Sequence, residues 1–332
     1  ELYVKKVKMI KWGIIGPGAI AHKFANEIDN TEKGKLISAY GRNEEKVKNF
    51  AKEYDLSTYY TNLDEFLNNK EIDAVYIATP HSNHREFAIK CIKAGKHVLC
   101  EKPFSYNYES SKEIIELAKE KNVFIMEALW TLFLPAVKKA KYWLEEGKIG
   151  KVKMITANFG FKSEEDLNSR LYNPELAGGA LLDVGIYTIL IANYITNDLP
   201  VAINASAVMT KTNVDETSMI SLKYNNGEVA SLTCSIACDT DNSAVIYGEK
   251  GKILLPAFSG AKEAYLYNNE GLVEEFLDSY NGEGYKYEIE EANNCILSGK
   301  LESERASYKT TLELAKIMDE VRNQINLVYP FE

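Results

Sequence analysis

Gly16-Pro17-Gly18-Ala19-Ile20-Ala21 sits between an apolar run, Met9-Ile10-Lys11-Trp12-Gly13-Ile14-Ile15, and a segment that places Ile20, Phe24 and Ile28 at four-residue steps. The run ahead of the glycines reads as a strand, and the steps after them keep three apolar side chains on one face of a helix from Ala19 to Ile28. In such a strand, turn and helix the first glycine permits a tight turn and the second lets backbone approach a pyrophosphate. A small third residue, here Ala21, lets the helix pack closely on the strand. The first-turn N–H groups would face the phosphates, which makes Gly16, Pro17, Gly18, Ala19 and Ile20 candidate cofactor contacts. The bland alternative is an ordinary strand, turn and helix without a ligand, because Gly-x-Gly-x-x-Ala needs its flanks to mean anything.

Working outward, the alternation continues. Leu36–Tyr40 reads as a strand, 43–54 as a helix capped by Asn43, 73–78 as a strand, 82–94 as a helix ended by Gly95, His97–Cys100 as a strand, 107–121 as a helix and Val123–Met126 as a strand. This pattern predicts an α/β Rossmann domain, a doubly wound parallel sheet, over residues 1–128, with ligands at the carboxyl ends of its strands. Gly16, Arg42, Thr79, Lys102 and Trp130 all fall just beyond such ends. From about Val152 the runs become strands (153–161, 219–224, 229–238, 244–247) with turn signals at Asn225-Asn226-Gly227 and Glu249-Lys250-Gly251. Residues 129–332 are therefore expected to form an α+β substrate and dimerisation domain with a mostly antiparallel sheet. Two helices close it, 285–297 and 307–325, the latter with Leu312, Ala315, Ile317 and Val321 as a packing face, and both are placed to pack back on the first domain.

The 332 residues exceed what one growing core holds, so two domains are expected. A formal charge of -9 argues against a nucleic-acid surface, which is built from clustered Lys and Arg. Five cysteines without a Cys-x-x-Cys pair fit reduced structural thiols and a cytoplasmic setting. Lys5, Lys6, Lys8 and Lys11 ahead of an apolar stretch mimic a signal peptide, but Gly16-Pro17-Gly18 would break that stretch. No membrane span is expected, since Ala180–Ile195 is too short and contains Asp183.

At the end of the second strand, where an acidic side chain would bond the ribose 2′-hydroxyl of NAD, the chain has Ala39-Tyr40-Gly41-Arg42 and then Lys46. Two cations suit a 2′-phosphate and predict NADP, with NAD as the second possibility; the bland alternative is a solvated charged face. Thr79-Pro80-His81-Ser82-Asn83-His84 opens a helix where N–H groups and short polar side chains can meet a dinucleotide, so Thr79, Pro80, Asn83 and His84 join the cofactor set. His81 and His84 are three apart without a third ligand, unlike a metal helix motif, and no metal is expected. Lys102, between Glu101 and Pro103, is placed to send its ammonium into the nicotinamide cleft; the alternative is a surface lysine at a turn. Glu101, Lys102 and Trp130 are counted with the cofactor contacts. Asp183 and Tyr187, four apart in an apolar segment, share a helix face, with a helix cap and a core phenol as their bland roles.

Over nearly its full length, through the glycine turn, Glu101-Lys102-Pro103, Met126-Glu127-Ala128-Leu129-Trp130-Thr131, Gly178 to Tyr187, and Glu288-Ile289 to Tyr329-Pro330, the chain resembles the glucose-fructose oxidoreductase and inositol dehydrogenase (Gfo/Idh/MocA) superfamily. Within it the chain is most similar to dimeric dihydrodiol dehydrogenases, which also act as NADP-dependent D-xylose dehydrogenases. Many superfamily members have histidine where this chain has Tyr187, whereas that group has tyrosine. The resemblance implies that the second sheet is open-faced and buries that face in a homodimer, that the substrate is a small sugar or other cyclic polyol, and that Lys102 and Tyr187 transfer the proton. A phenol of pKa ~10 is a poor base at neutral pH, and a nearby ammonium favours its phenolate. Asp183 would orient substrate or Lys102, and Trp130 with Phe159 would wall a sugar face or an aromatic diol. Arg170, ahead of Leu171-Tyr172-Asn173-Pro174, matches the family in position but its role is not set by spacing. The family's Trp-Thr-Arg-Phe is Trp130-Thr131-Leu132-Phe133 here, so any contact made by that arginine is lost. The competing readings are an inositol or keto-sugar dehydrogenase of the same superfamily and a dinucleotide-binding sensor without turnover.

Overall fold

The computed structural model describes residues 8–332, and Lys5 and Lys6 of the basic stretch lie outside the described residues. Six strands, β1 (Ile10–Ile15), β2 (Gly34–Tyr40), β3 (Thr58–Tyr60), β4 (Ala74–Ile77), β5 (His97–Cys100) and β6 (Ile125–Glu127), form one parallel sheet in the order β3-β2-β1-β4-β5-β6. This is the doubly wound arrangement, and the order reverses between β1 and its neighbours β2 and β4, where a crevice must open at the strands' carboxyl ends. Strand β4 is buried at every position, as expected of a parallel strand covered on both faces. Helix Ala19–Ile28 lays Phe24 on this sheet, 4.3 Å from the Tyr76 ring and 5.5 Å from Trp12, all three rings buried. Asn43 caps helix Glu44–Glu53 by accepting from Lys46 N–H at 2.9 Å.

Two compact units divide the chain. The first holds the chain up to Phe104, Glu109–Leu129 and Asn281–Tyr308; the second holds Ser105–Tyr108, Trp130–Tyr280 and Lys309–Glu332. Of the two closing helices, Lys286–Leu297 therefore packs within the first unit, where Asn293 accepts from Trp12 Nε1 at 2.8 Å. The other, Tyr308–Gln324, buries Leu314, Ala315, Ile317, Met318 and Val321, while Leu312 is only half-buried.

The second unit is built on eight strands: β7 (Val152–Gly160), β8 (Ala202–Met209), β9 (Asp215–Lys223), β10 (Val229–Ser235), β11 (Ala244–Gly248), β12 (Gly251–Leu255), β13 (Glu263–Asn268) and β14 (Gly271–Leu277). Their order is β14-β13-β12-β11-β7-β10-β9-β8, antiparallel except for the central pair β7 and β10. Inward positions such as Ile155, Ala157, Ile220, Leu232 and Ile246 are buried beneath helix Ile186–Thr196 and its neighbours, whereas Met154, Val208, Met219 and Val229 on alternate positions are exposed. The apolar stretch Pro174–Thr196 contains a 3₁₀ turn (Pro174–Leu176), a break at Ala177 and Gly179 with positive φ, and then a continuous helix through Thr196; its most apolar window has a mean hydropathy of 1.6. The continuous helix, from Ala180 to Thr196, has nearly the bounds that the sequence suggested. By length and composition the whole stretch could cross a membrane, yet 89% of its most apolar window is buried inside the fold, the setting of a core helix.

Candidate active site

In the first unit Gly16 follows β1 with φ +90, and a Cβ there would come within 2.9 Å of Ala78 O and Thr79 Cγ2, so both conformation and space demand glycine. A Cβ on Gly18 would meet nothing within 4 Å, because Gly18 faces a cavity of about 260 Å³ at the ends of β1, β2 and β4. Gly16, Pro17, Gly18, Arg42, Lys46, Thr79, Pro80 and Asn83 all line it. Ala19 and Ile20 form the first turn of the helix behind it. That helix starts without a side-chain cap, and the buried Thr79 Oγ1 has no hydrogen-bond partner among the described residues. Uncapped helix donors and an orphaned hydroxyl at one cavity match a phosphate-bearing ligand, and the residues present fit a nicotinamide dinucleotide. Tyr40 and Phe87 also line the cavity and were not foreseen. Phe87 lies one helical turn beyond Asn83, a spacing that carried the signal.

His84 stands apart from the cavity lining. It is fully buried, with Nδ1 2.7 Å from Pro103 O and Nε2 2.8 Å from Thr79 O, and it ties the loop after β4 to the loop after β5. Burial lowers its pKa, although both carbonyls favour the cation. Glu101 is equally engaged inward: Tyr76 Oη donates to Oε1, and the Lys102 backbone N–H donates to Oε2 at 3.1 Å. Its carboxylate thereby fixes the backbone of Lys102, whose side chain is half-buried. Glu288, which sequence reading passed over, is 0% exposed, and neither of its oxygens has a hydrogen-bond partner among the described residues. Burial first, and then the charge of Glu101, push its pKa well above the usual carboxyl range.

The second unit brings its five candidates into two clusters joined by one helical segment. Trp130 Nε1 donates to Tyr187 Oη at 3.1 Å, and the Phe159 ring lies 5.6 Å from that of Tyr187. Arg170 Nη1 and Nη2 donate to Asp183 Oδ1 and Oδ2 at 2.7 and 3.4 Å, a two-pronged pair in which Asp183 is buried and Arg170 half-exposed. Asp183 lies in a widened π-turn, Leu181–Gly185, that leads into the α-helix Ile186–Thr196 carrying Tyr187. The spacing predicted one helix; it did not reveal the change in winding, a feature found frequently at functional sites.

The profile of the oxidoreductase family with an NAD-binding Rossmann fold matches residues 10–129, and that of the GFO/IDH/MocA C-terminal domain matches residues 137–254. Trans-1,2-dihydrobenzene-1,2-diol dehydrogenase of Danio rerio is 34% identical over 331 residues, which cover 96% of this chain and 98% of the relative. The scyllo-inositol 2-dehydrogenase (NADP(+)) IolU of Bacillus subtilis (strain 168) is 33% identical over 330 residues, 97% of this chain and 99% of that one. The aldose-aldose oxidoreductase of Caulobacter crescentus, solved with glycerol, shares the fold with a TM-score of 0.88 at 22% identity, over 96% of this chain and 98% of that one. With the glycine turn, its cavity and the second sheet already in place, these likenesses show that the chain belongs to the Gfo/Idh/MocA family and is an NAD(P)-dependent oxidoreductase of the sugar and polyol dehydrogenase kind.

Proposed function

We propose that the protein is an NADP-linked dehydrogenase or reductase acting on CH–OH groups of cyclic polyols, aldoses ahead of trans-dihydrodiols, with Tyr187 and Lys102 as the proton-transfer pair. The observation that carries this reading is the Trp130 to Tyr187 hydrogen bond of 3.1 Å. An indole N–H is a donor only, so it occupies an acceptor site on the phenol oxygen and favours the phenolate over the phenol. When bound, the nicotinamide supplies the hydride acceptor or donor. In the oxidation direction Tyr187 takes the proton of the reacting hydroxyl, and the Lys102 ammonium stabilises the negative charge on the phenolate. Trp130 and Phe159 offer flat apolar surface beside that oxygen, and the Arg170–Asp183 pair offers polar groups for neighbouring hydroxyls.

The NADP preference is supported by Arg42 and Lys46 at the cavity and by the lack of any acidic residue in its lining among the described residues. Arg42→Ala should weaken NADP binding about tenfold more than NAD binding, the cost of one charge-assisted contact; an unchanged ratio would place the 2′-phosphate elsewhere. Inositol oxidation is the second reading, favoured by the likeness to IolU. Absorbance of reduced nicotinamide, followed with NADP or NAD against aldoses, inositols and trans-dihydrodiols, separates the two, and an absence of turnover with all of them would reject both.

A homodimer through the second sheet belongs to the same proposal. Met154 and Val229 are register partners on the open face, with Val208 and Met219 nearby on it, and all four are exposed. Light scattering should return twice the chain mass, and a monomer at micromolar concentration would refute it.

A further inference from the structure

The segment that presents Asp183 and Tyr187 starts from the turn Gly178-Gly179-Ala180, and the first amides of a helix lack intrahelical partners. Here the Leu181 N–H donates to Asp215 Oδ2 at 2.7 Å, and the same oxygen accepts from Ser218 Oγ at 2.8 Å. Asp215 is 0% exposed. It opens β9 at a register shift, where Val208 pairs with Thr217 but Met209 pairs with Asp215, so that Glu216 is an extra residue. Such bulges re-aim side chains next to active sites. Gly179 has φ +115, and a Cβ on it would overlap Asp215 Oδ1. From the other side Tyr329 Oη donates to Gly178 O at 2.7 Å. The turn is held from two separate parts of the chain.

We propose that Asp215 is a positioning residue for the reaction centre: by accepting the Leu181 N–H it fixes the start of the π-turn and thereby the direction in which Asp183 and Tyr187 present their side chains. The proposal deepens the functional reading above and rests on Tyr187 being the proton-transfer residue. A buried carboxylate is a costly way to satisfy one amide, since a neutral oxygen would do so with less desolvation. What the carboxylate adds is strength and direction, because a charged acceptor at a helix start binds its donors more tightly and suits the local dipole. Burial raises its pKa to about 6, while Ser218, Leu181 and its own backbone N–H hold it down. Facing it are the Arg322 guanidinium from the last helix, the Cys234 thiol from β10 and the Tyr329 phenol, the last two pushed up by burial and therefore neutral. Asp215 is thus ionised at neutral pH and gains its proton near the acidic end of the working range.

The three tryptophans allow a test with a readout other than turnover. Each indole N–H has its own anchor: Trp12 on Asn293, Trp143 on Glu274 and Trp130 on Tyr187. Their three ¹⁵N-indole signals can be assigned by single Trp→Phe changes in the full-length protein. In Asp215→Ala the Trp130 signal should move while those of Trp12 and Trp143 stay. The kcat should fall about 10- to 100-fold, as expected of a small misplacement of a reacting group. NADP affinity, titrated directly, should change less than about twofold, since no contact with the cavity is lost. Asp215→Asn keeps an oxygen acceptor for Leu181 and Ser218 and should restore most of kcat and the Trp130 signal, while removing an acid limb near pH 6 from the kcat profile. If Asp215→Ala does not fold, Gly179→Ala should reproduce the Trp130-selective shift. An unmoved Trp130 signal and unchanged kcat in Asp215→Ala would overturn the proposal, as would a shift of all three signals with a parallel loss of NADP affinity. A Trp130-selective shift in Asp215→Ala, alongside a wild-type protein that turns over no polyol, would instead leave the positioning in place and reject the functional reading.

Discussion

Glu288 in the first unit and Asp215 in the second are both carboxyls at 0% exposure, yet they are handled in opposite ways. Asp215 has one oxygen accepting from an amide and a hydroxyl, and those donors hold its pKa near 6 against the pull of burial. Glu288 has no hydrogen-bond partner on either oxygen among the described residues and lies near the charge of Glu101, so burial and that charge together favour its protonated form. Burial alone does not decide whether a carboxyl is an anion; the donors aimed at it do. The same contrast separates the two candidate proton-transfer residues. Lys102 follows a carboxylate turned inward onto Tyr76 and the backbone, whereas Tyr187 follows a carboxylate turned onto a half-exposed arginine.

The strongest test of that asymmetry is Tyr187→Phe, which removes the phenol oxygen and leaves the ring against Phe159. Turnover should fall by about 10²–10⁴-fold, the usual worth of a general acid or base, with NADP binding intact by titration. A fall below tenfold would mean that another group carries the proton. Next comes Arg170→Ala, which leaves Asp183 buried without its cation. Because Arg170 is half-exposed, its loss should cost about 1–3 kcal/mol rather than the full price of a buried pair, read as a lower urea midpoint. Retention of the midpoint would mean that Asp183 has other donors of equal strength. The third test is Glu288→Gln at neutral pH: burial raises the carboxyl's pKa, so folding must supply it with a proton that the amide does not need, and the variant should show a higher urea midpoint, a gain that shrinks as pH falls towards 4.5. An unchanged midpoint would mean that Glu288 takes up no proton on folding.

Stability against pH sharpens the contrast further. For both carboxyls the folded pKa is raised, so the native state keeps a proton the unfolded chain has lost, and stability falls as pH rises. For Asp215 the window runs from 3.8 to about 6, and for Glu288 it opens at 4.5 and continues beyond it. Asp215→Asn should remove the slope between 3.8 and about 6, and Glu288→Gln the slope that opens at 4.5. His84, with its pKa lowered, contributes the opposite slope, losing stability as pH drops below 6.5.

What the sequence disclosed was local. Trp12 to Ile15, the glycines, Asn43 and His97–Cys100 declare strands, a turn and a cap through neighbouring residues, and each appears in the structure. Strand β3 and helix Leu63–Asn68 escaped because three and six residues are too short for a period to register. Strand β8 escaped because its positions alternate between exposed and half-buried, with small and polar residues on the open face. Cavity residues next to the glycine turn were legible because the fold places the strand ends together by rule. The positions of Asp215, Glu288 and Tyr329 were not, since each matters through a partner far along the chain, with 151 residues separating Tyr329 from Gly178.

The inclusion of Asn281–Tyr308 in the first unit has a consequence for biosynthesis. Trp12, in the first strand, waits for an indole partner 281 residues downstream. At about 5–20 residues per second, a ribosome needs roughly 10–30 s to pass from the end of β6 to that segment. Throughout that interval the nascent nucleotide-binding half exposes the surface that helix Lys286–Leu297 will cover. Expression of residues 8–129 alone should therefore give a product prone to aggregation, and supplying the 281–308 segment by fusion after residue 129 should rescue its solubility.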